Sequence, residues 1–396
     1  MHISSETRLF IREHSTDDVR TLALQSKKYP DVDMPVAITQ IAGRQIATEK
    51  IPSWKTIEDI RYPKHLSLEQ CSSEITAYYK AGLLQGDSLT DLTGGFGVDC
   101  SFLAERFKSV TYVERQEELC GIAAHNFPIL GLNHINVKNE DGIAHLKAMS
   151  PVDCIFLDPA RRNEHGGKAI AISDCEPDVA ELEGLLLNKA KQVMVKLSPI
   201  LDLSLALREL QQTQEVHIIS VNNECKELLL ILGQTVPQEI KIHCVNLSTK
   251  GEQEGQHFTF TREQEQCSQC NYTDSLDEYL YEPNTSLLKA GAFKSLSSAF
   301  PIRKLHPNSQ LSTSDPLIDK VPGRIFRIVN QCSFNKKESK ECLADLKKAN
   351  ITIRNFPATV VELRKRIKLS EGGDTYLFAS TLNNEQKVLI RCEKIK

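Results

Sequence analysis

No apolar run in this 396-residue chain approaches the ~20 residues needed to span a bilayer. Its N-terminal stretch, MHISSETRLFIREHS, lacks the basic start and long apolar run of a signal peptide. The twelve cysteines are scattered, mostly inside apolar stretches, which excludes a disulfide frame and fits reduced core residues. Internal repeats and low-complexity tracts are missing, and a composition of 40% hydrophobic and 25% charged residues excludes a disordered or fibrous chain. Tryptophan occurs once, at Trp54, far from the motifs below, and reads as a domain anchor rather than a stacking platform. These absences leave a cytoplasmic protein with no membrane partner as the expectation, and the length implies two or three domains.

The net charge of -4 argues against a uniformly basic nucleic-acid binder, but it hides an asymmetry. Residues 320–369 carry 13 Lys or Arg against four acids (Glu338, Glu341, Asp345, Glu362), a local balance of +9 that leaves -13 for the remainder. A basic C-terminal module on an acidic body suits a phosphate-backbone partner. A solvated helix face accounts for such a run equally well.

Residues 1–87 read as an N-terminal helical region. STDDVRTLALQSKK opens on hydroxyls and acids and closes on lysines, as the helix dipole favours. SLEQCSSEITAYYKAGLL offers Ser67 with Gln70 as a cap, then an amphipathic run. From Ser88 to about Gly233, the strand candidates SLTDLT, SVTYVE, INVKNE, CIFLD, QVMVKLS, EVHIISV and KELLLILG alternate, in the early part, with helical spacing. That alternation predicts a mostly parallel, doubly wound α/β sheet, whose ligands bind outside the carboxyl ends of the strands. With IKIHCVNL and HFTFTR this domain is expected to span 88–262, and a polar linker is expected over 262–276. The remainder, 276–396, reads as an α+β region of one module or two (276–322 and 323–396). Its later strands and helices follow the βαβαββ order of a small split-βαβ layer.

Chemistry concentrates at the strand ends. DLTGGFGVD closes the first strand with Asp91, and Gly95 and Gly97 permit a tight turn before a helix. The third glycine of a dinucleotide fingerprint is lacking. An acid four residues ahead of the key glycine is wrong for a pyrophosphate and right for a ligand carrying an amino group. Glu114 ends the second strand 23 residues later, where a carboxylate can accept both hydroxyls of a ribose. Asp141, with Gly142 beside it, follows the third strand, and Asp158 ends the fourth. Each acid alone has the common alternative of a helix N-cap; together they converge on one rim.

DLTGGFG, YVE, NEDG and LDPAR resemble the successive motifs of class I S-adenosylmethionine-dependent methyltransferases over roughly residues 70–235. More narrowly, LEQCSSEITAYYKA, DPARRNEHGGK with DCEPDV, KLSPILD and ANITIRNFPATVVELRKRIKLSEGGDTYLFAST resemble bacterial methyltransferases with a THUMP-like C-terminal domain. The resemblance implies a Rossmann-like α/β domain followed by a ferredoxin-like and THUMP-like α+β region. It implies S-adenosyl-L-methionine as cofactor, with Asp91, Thr93 and the Gly95–Gly97 turn at the methionine part, Glu114 at the ribose, and Asp141 with Gly142 at the adenine. Thr93 stands where the commonest form has glycine. The implied partner is structured RNA (tRNA or rRNA), with no DNA expected.

In amino-methylating relatives the fourth strand ends in an acid or Asn, two prolines and an aromatic; the acid and a proline-fixed carbonyl orient the target amine. Here Asp158 and Pro159 are present, while Ala160 and Arg161 replace the second proline and the aromatic. Arg161 is left with three roles: stacking through its guanidinium plane, clamping a phosphate, or pairing with a rim acid. Relatives that methylate pyrimidine carbon-5 need a cysteine nucleophile after the fifth strand; this chain has Leu197 there, then Ser198. The expectation is therefore N-methylation of a purine, catalysed through Asp158, Pro159 and Arg161. The alternatives are a protein or small-molecule substrate, or a catalytically silent RNA-binding scaffold. No metal is expected, since Cys267 and Cys270 form a lone CxxC without a second pair at ligand spacing.

Overall fold

A computed structural model describes residues 3–161, 171–249 and 255–395. The chain divides into two compact units, Met1–Gln214 with Leu228–Pro237, and Glu215–Glu227 with Gln238–Lys396. The strands before the second unit's main sheet are β1 (Ser88–Asp91), β2 (Ser109–Val113), β3 (Ile135–Lys138), β4 (Val152–Leu157), β5 (Ala160–Arg161), β6 (Cys175–Glu176), β7 (Ala190–Leu197), β8 (Thr213–Val221), β9 (Glu224–Gly233), β10 (Lys241–Leu247) and β11 (Gln256–Thr261).

In the first unit the strand order is β9-β7-β4-β1-β2-β3. The pairs among β1, β2, β3, β4 and β7 are parallel, and β9 runs antiparallel to β7. The apolar run Cys154–Leu157 is fully buried, as a central strand covered on both faces requires. The chain moves outward from β1 to β3 and then returns to the other side of β1 with β4. That reversal opens a crevice at the carboxyl ends of β1 and β4, where Asp91 and Asp158 lie.

The N-terminal helices belong to this same unit. Trp54 is buried and meets Phe96, in the middle of the glycine turn, edge to face at 5.3 Å. The long helix expected from Ser67 is instead two, His65–Gln70 and Glu74–Ala81, with Lys64 rather than Ser67 at the first N-cap. The break at 71–73 frees the Ser72 hydroxyl, which binds Asp99 at 2.7 Å rather than capping a helix. No helix among the described residues is long and apolar enough to cross a membrane.

In the second unit β8, from Glu215, pairs in parallel with β10, which pairs antiparallel with β11. The segment expected as a linker begins with a helix, Arg262–Cys267, because Thr261 and Gln264 cap each other's backbone reciprocally. Then follow β12 (Tyr279–Pro283), β13 (Arg303–Lys304), β14 (Ser312–Ser314), β15 (Gly323–Ser333), β16 (Asn350–Ile353), β17 (Thr375–Thr381) and β18 (Lys387–Lys394), in the sheet order β13-β14-β12-β15-β18-β17-β16. Helices Lys336–Cys342 and Val360–Ile367 lie between β15 and β16 and between β16 and β17, which realises the βαβαββ order. Part of the basic run is structural: Arg324 and Arg354 both pair with the buried Glu282, and Arg327 pairs with Glu278. Lys336, Lys337, Lys340, Lys347, Lys348, Lys365 and Lys368 are exposed.

Candidate active site

The glycine turn after β1 is built around three backbone demands. Gly95 and Gly97 take positive φ, 55° and 86°, in the left-handed region that glycine enters without penalty. Gly94 is needed for space, since a Cβ there would stand 2.1 Å from a ring carbon of Tyr112. Tyr112 is fully buried in β2 and donates its hydroxyl to the Gly95 carbonyl at 2.5 Å, so it cannot retreat without releasing the turn. The sequence reading named Gly95 and Gly97 and missed Gly94, whose constraint comes from a neighbouring strand. Gly94→Ala is expected to destabilise the unit by about 1–3 kcal/mol through overpacking, read as a lowered midpoint in urea unfolding.

Asp91 closes β1 at 1% exposure. Its Oδ1 accepts the Thr93 N–H at 3.0 Å, while its buried Oδ2 has no hydrogen-bond partner among the described residues. Burial pushes its carboxyl well above the usual range, and the nearby Asp99, Asp158 and Glu114 push in the same direction. Glu114, just past β2, accepts the Gly95 N–H at 2.8 Å and the Gln116 N–H at 2.7 Å, one on each carboxylate oxygen. Since each carboxylate oxygen has two acceptor positions, capacity for hydroxyl donors remains. Asn139 holds the same corner, donating to the Glu114 carbonyl at 2.9 Å and to the Arg115 carbonyl at 3.2 Å.

Asp141 is exposed and caps helix Gly142–Ala148, accepting the Ala144 N–H at 2.9 Å. It therefore fills the N-cap role that the sequence also offered. Gly142 is required by close approach, because a Cβ there would lie 2.3 Å from the Leu92 carbonyl oxygen.

Asp158 and Pro159 lie at the end of β4. The Asp158 N–H donates to Thr93 Oγ1 at 2.6 Å, so the residue that replaces the common glycine ties the first motif to the fourth. The Asp158 carboxylate pairs with Lys196 of β7, whose Nζ is also 4.0 Å from Asp99 Oδ2. Behind them Lys80, with no exposed surface, reaches Asp99 Oδ1 at 2.9 Å and donates to Ser72 Oγ at 2.8 Å. Burial alone would raise the Asp99 carboxyl; the two lysines outweigh it and hold the group below its ordinary range. Burial likewise raises the Asp158 carboxyl, against the pull of Lys196. The result is an alternating chain of charges, Lys80–Asp99–Lys196–Asp158, running from the N-terminal helices to the rim.

Sequence reasoning missed Lys80 and Asp99. Asp99 was visible as an acid two residues past the turn, but its partners are remote in sequence: Ser72 in the break at 71–73, Lys80 on helix Glu74–Ala81 and Lys196 on β7. Cys71 lies beside this chain, yet burial pushes its thiol up to about 11, so it is no thiolate nucleophile at neutral pH. Leu197, where carbon-5 chemistry needs a cysteine, is buried in β7. Arg161 takes part through its backbone in the two-residue ladder Ala160↔Glu176 and Arg161↔Cys175. The roles expected of its side chain, and those of residues 162–168 of DPARRNEHGGK, lie outside what is described.

Three family models match: a THUMP domain-like family over residues 323–394, a ferredoxin-like domain over 279–322, and the protein-L-isoaspartate(D-aspartate) O-methyltransferase family over 36–163. A crystal structure from Porphyromonas gingivalis W83, of a protein classed as a methyltransferase, matches at 34% identity and TM-score 0.87 over 100% of both chains. The chain belongs to the THUMP-like class I methyltransferases. Two further structures cover only 40% of this methyltransferase. One is a rRNA methylase from Streptococcus thermophilus (15% identity, 93% of that chain, TM-score 0.29); the other is SMU.1697c from Streptococcus mutans with SAH (12%, 96%, TM-score 0.30). At such scores they carry no weight for this chain. No curated protein matches the methyltransferase at a significant level. Beside its turn, Arg115 pairs with Glu176 at 2.8 Å, which ties the end of β2 to the β6 segment.

Proposed function

We propose that this methyltransferase uses S-adenosyl-L-methionine and methylates an amino nitrogen of a purine in structured RNA, either tRNA or rRNA. The observation that carries the cofactor reading is the unpartnered Oδ2 of Asp91, a buried carboxylate oxygen crowded by three further acids beside a glycine cradle. An ammonium group is the donor that such an oxygen lacks, and a sulfonium favours the same negative field. Asp91, Thr93 and the Gly95–Gly97 turn would hold the amino-acid part, Glu114 the ribose hydroxyls, and Gly142 with Asp141 the adenine end. When bound, the cofactor supplies an electrophilic methyl group.

The chain's own part is alignment. The Asp158 carboxyl, paired with Lys196, and the carbonyl of Pro159 accept hydrogen bonds from the target amine and turn its lone pair toward the methyl group. Thr93 fixes the height of Asp158 relative to the turn. The exposed lysines between 336 and 368 suit a phosphate backbone, and the family model at 323–394 supports that reading.

Calorimetry with the cofactor tests the first half. Saturable binding is expected, with affinity reduced roughly 10- to 100-fold in Glu114→Ala, the worth of a charge-assisted hydrogen bond of about 1.5–3 kcal/mol. Because the empty Asp91 carboxyl titrates above the usual range, an ammonium beside it favours the ionised form and expels the proton. Affinity should therefore rise with pH through that range, and Asp91→Asn should flatten the rise; absence of binding at any pH would remove the proposal. Mass spectrometry of nucleosides from cells with and without the gene tests the second half through loss of a methylated purine. The match at 36–163 to an O-methyltransferase family favours a second reading, a protein carboxylate as acceptor. Labelled methyl in protein rather than RNA would decide for it.

A further inference from the structure

A second cluster of reactive side chains lies in the second unit, and the methyl-transfer reading does not use it. His217 of β8 and His243 of β10 are direct partners in the parallel ladder, and Thr259 of β11 is the partner of His243. Residues paired across a sheet share a face, so two imidazoles and a hydroxyl stand in one row. The rings stack with centroids 4.5 Å apart and planes 13° apart. Glu215, two residues before His217 and therefore on the same face, brings Oε2 to 3.5 Å from His217 Nε2 and 3.6 Å from His243 Nε2.

Separations of 3.5 and 3.6 Å exceed the ordinary N–H···O range of about 2.7–3.2 Å. The Glu215–His217 and Glu215–His243 separations match neighbouring donors on one ion, since tetrahedral bonds of about 2.0–2.2 Å put adjacent ligand atoms roughly 3.3–3.6 Å apart, and a turn of one stacked ring about its Cβ–Cγ bond brings both lone pairs onto that ion. The three donor atoms all lie within 4.8 Å of one another. Thr259 Oγ1 sits 2.9 Å from His243 Nδ1, the outer contact that orients a ligating imidazole and fixes its tautomer.

We propose that Glu215, His217 and His243 bind a divalent transition-metal ion of the zinc class, with a further position open to water. Glu215 is 40% exposed at its side chain and gives the ion an entry from solvent. The neighbouring Lys241, partner of Glu215 in the ladder, and His257, one row beyond His243, are both exposed. This site differs from the CxxC considered in the sequence: Cys267 is exposed, Cys270 donates its thiol to the Phe293 carbonyl at 3.8 Å, and neither belongs to the cluster.

The test is titration of the full chain, made without a histidine tag and stripped with chelator, with Co²⁺ followed by its visible absorption and by Zn²⁺ competition. A single equivalent should bind with a nitrogen- and oxygen-ligated spectrum, displaced by zinc. Thr259→Val should weaken binding about 10- to 100-fold, the usual effect of losing an outer-shell partner. Glu215→Gln, at a half-exposed position that tolerates the change, should weaken it at least as much. Circular dichroism of each variant reports that the fold is retained. Cys267→Ser with Cys270→Ser should bind like the wild type. The proposal fails if no stoichiometric spectrum develops, if binding survives in Glu215→Gln and His243→Gln, or if the double cysteine variant loses it.

Discussion

Lys80→Met should cost the methyltransferase about 3–5 kcal/mol of stability, the loss typical when one partner of a buried pair is removed. Lys80 has no exposed surface and meets Asp99 at 2.9 Å, so the variant leaves a carboxylate buried with Lys196, 4.0 Å away, as its remaining cation beside the Ser72 hydroxyl at 2.7 Å. At roughly 2–4 °C per kcal/mol for a unit of this size, the thermal midpoint should fall on the order of 10 °C. The pH dependence separates charge from packing. Asp99 is held below its ordinary range, so the pairing contributes fully above the unfolded carboxyl pKa of about 3.9 and is lost as pH falls through the lower folded value. Wild type and variant should therefore converge on acidification, and Lys80→Met with Asp99→Leu should recover much of the loss. A deficit independent of pH would mean that Lys80 acts through its aliphatic stem alone.

Asp158→Ala should lower kcat about 10²- to 10³-fold, the scale of removing one fixed hydrogen-bonding group from a reacting centre. The KM for the cofactor should change little, because Asp91 and Glu114 are assigned to hold it and neither contacts Asp158 directly. The substitution also leaves Lys196 beside Asp99, where a pair at 4.0 Å can close, so the fold should survive. Transfer of labelled methyl to total RNA from cells lacking the protein gives the rate. An unchanged kcat would remove Asp158 from the chemistry and leave it as a strut for Lys196.

The strand ends were legible in the sequence because the run of apolar residues stops where the acid appears: TYVE, CIFLD and SLTD carry their own punctuation. The βαβαββ order of the C-terminal region was equally plain from its run of strands and helices, and its THUMP-like character from the resemblance of its motifs. What stayed hidden depends on distance in sequence. Lys80 and Asp99 sit on different helices, and nothing in SSEITAYYKA distinguishes an inward lysine from a solvated one. Thr93 was expected at the cofactor's methionine part, but its hydrogen bond to the Asp158 N–H was not legible, because that requires knowing that β4 lies beside β1. The histidine row is hidden more deeply still. His217 and His243 meet only because β8 and β10 pair in parallel in one particular register, and a one-residue slip would send one ring to the other face.

The hydrogen bond from the Asp158 N–H to Thr93 Oγ1 also bears on how such enzymes can diversify. The loop assigned to the cofactor and the loop assigned to the acceptor share one hydroxyl, so neither is an independent module. Chimeras that import residues 91–97 from a relative with glycine at position 93 would orphan the part-buried Asp158 amide in the loop assigned to the acceptor. Exchanging the two loops together keeps that amide satisfied, which makes the pair, rather than either loop, the unit of inheritance.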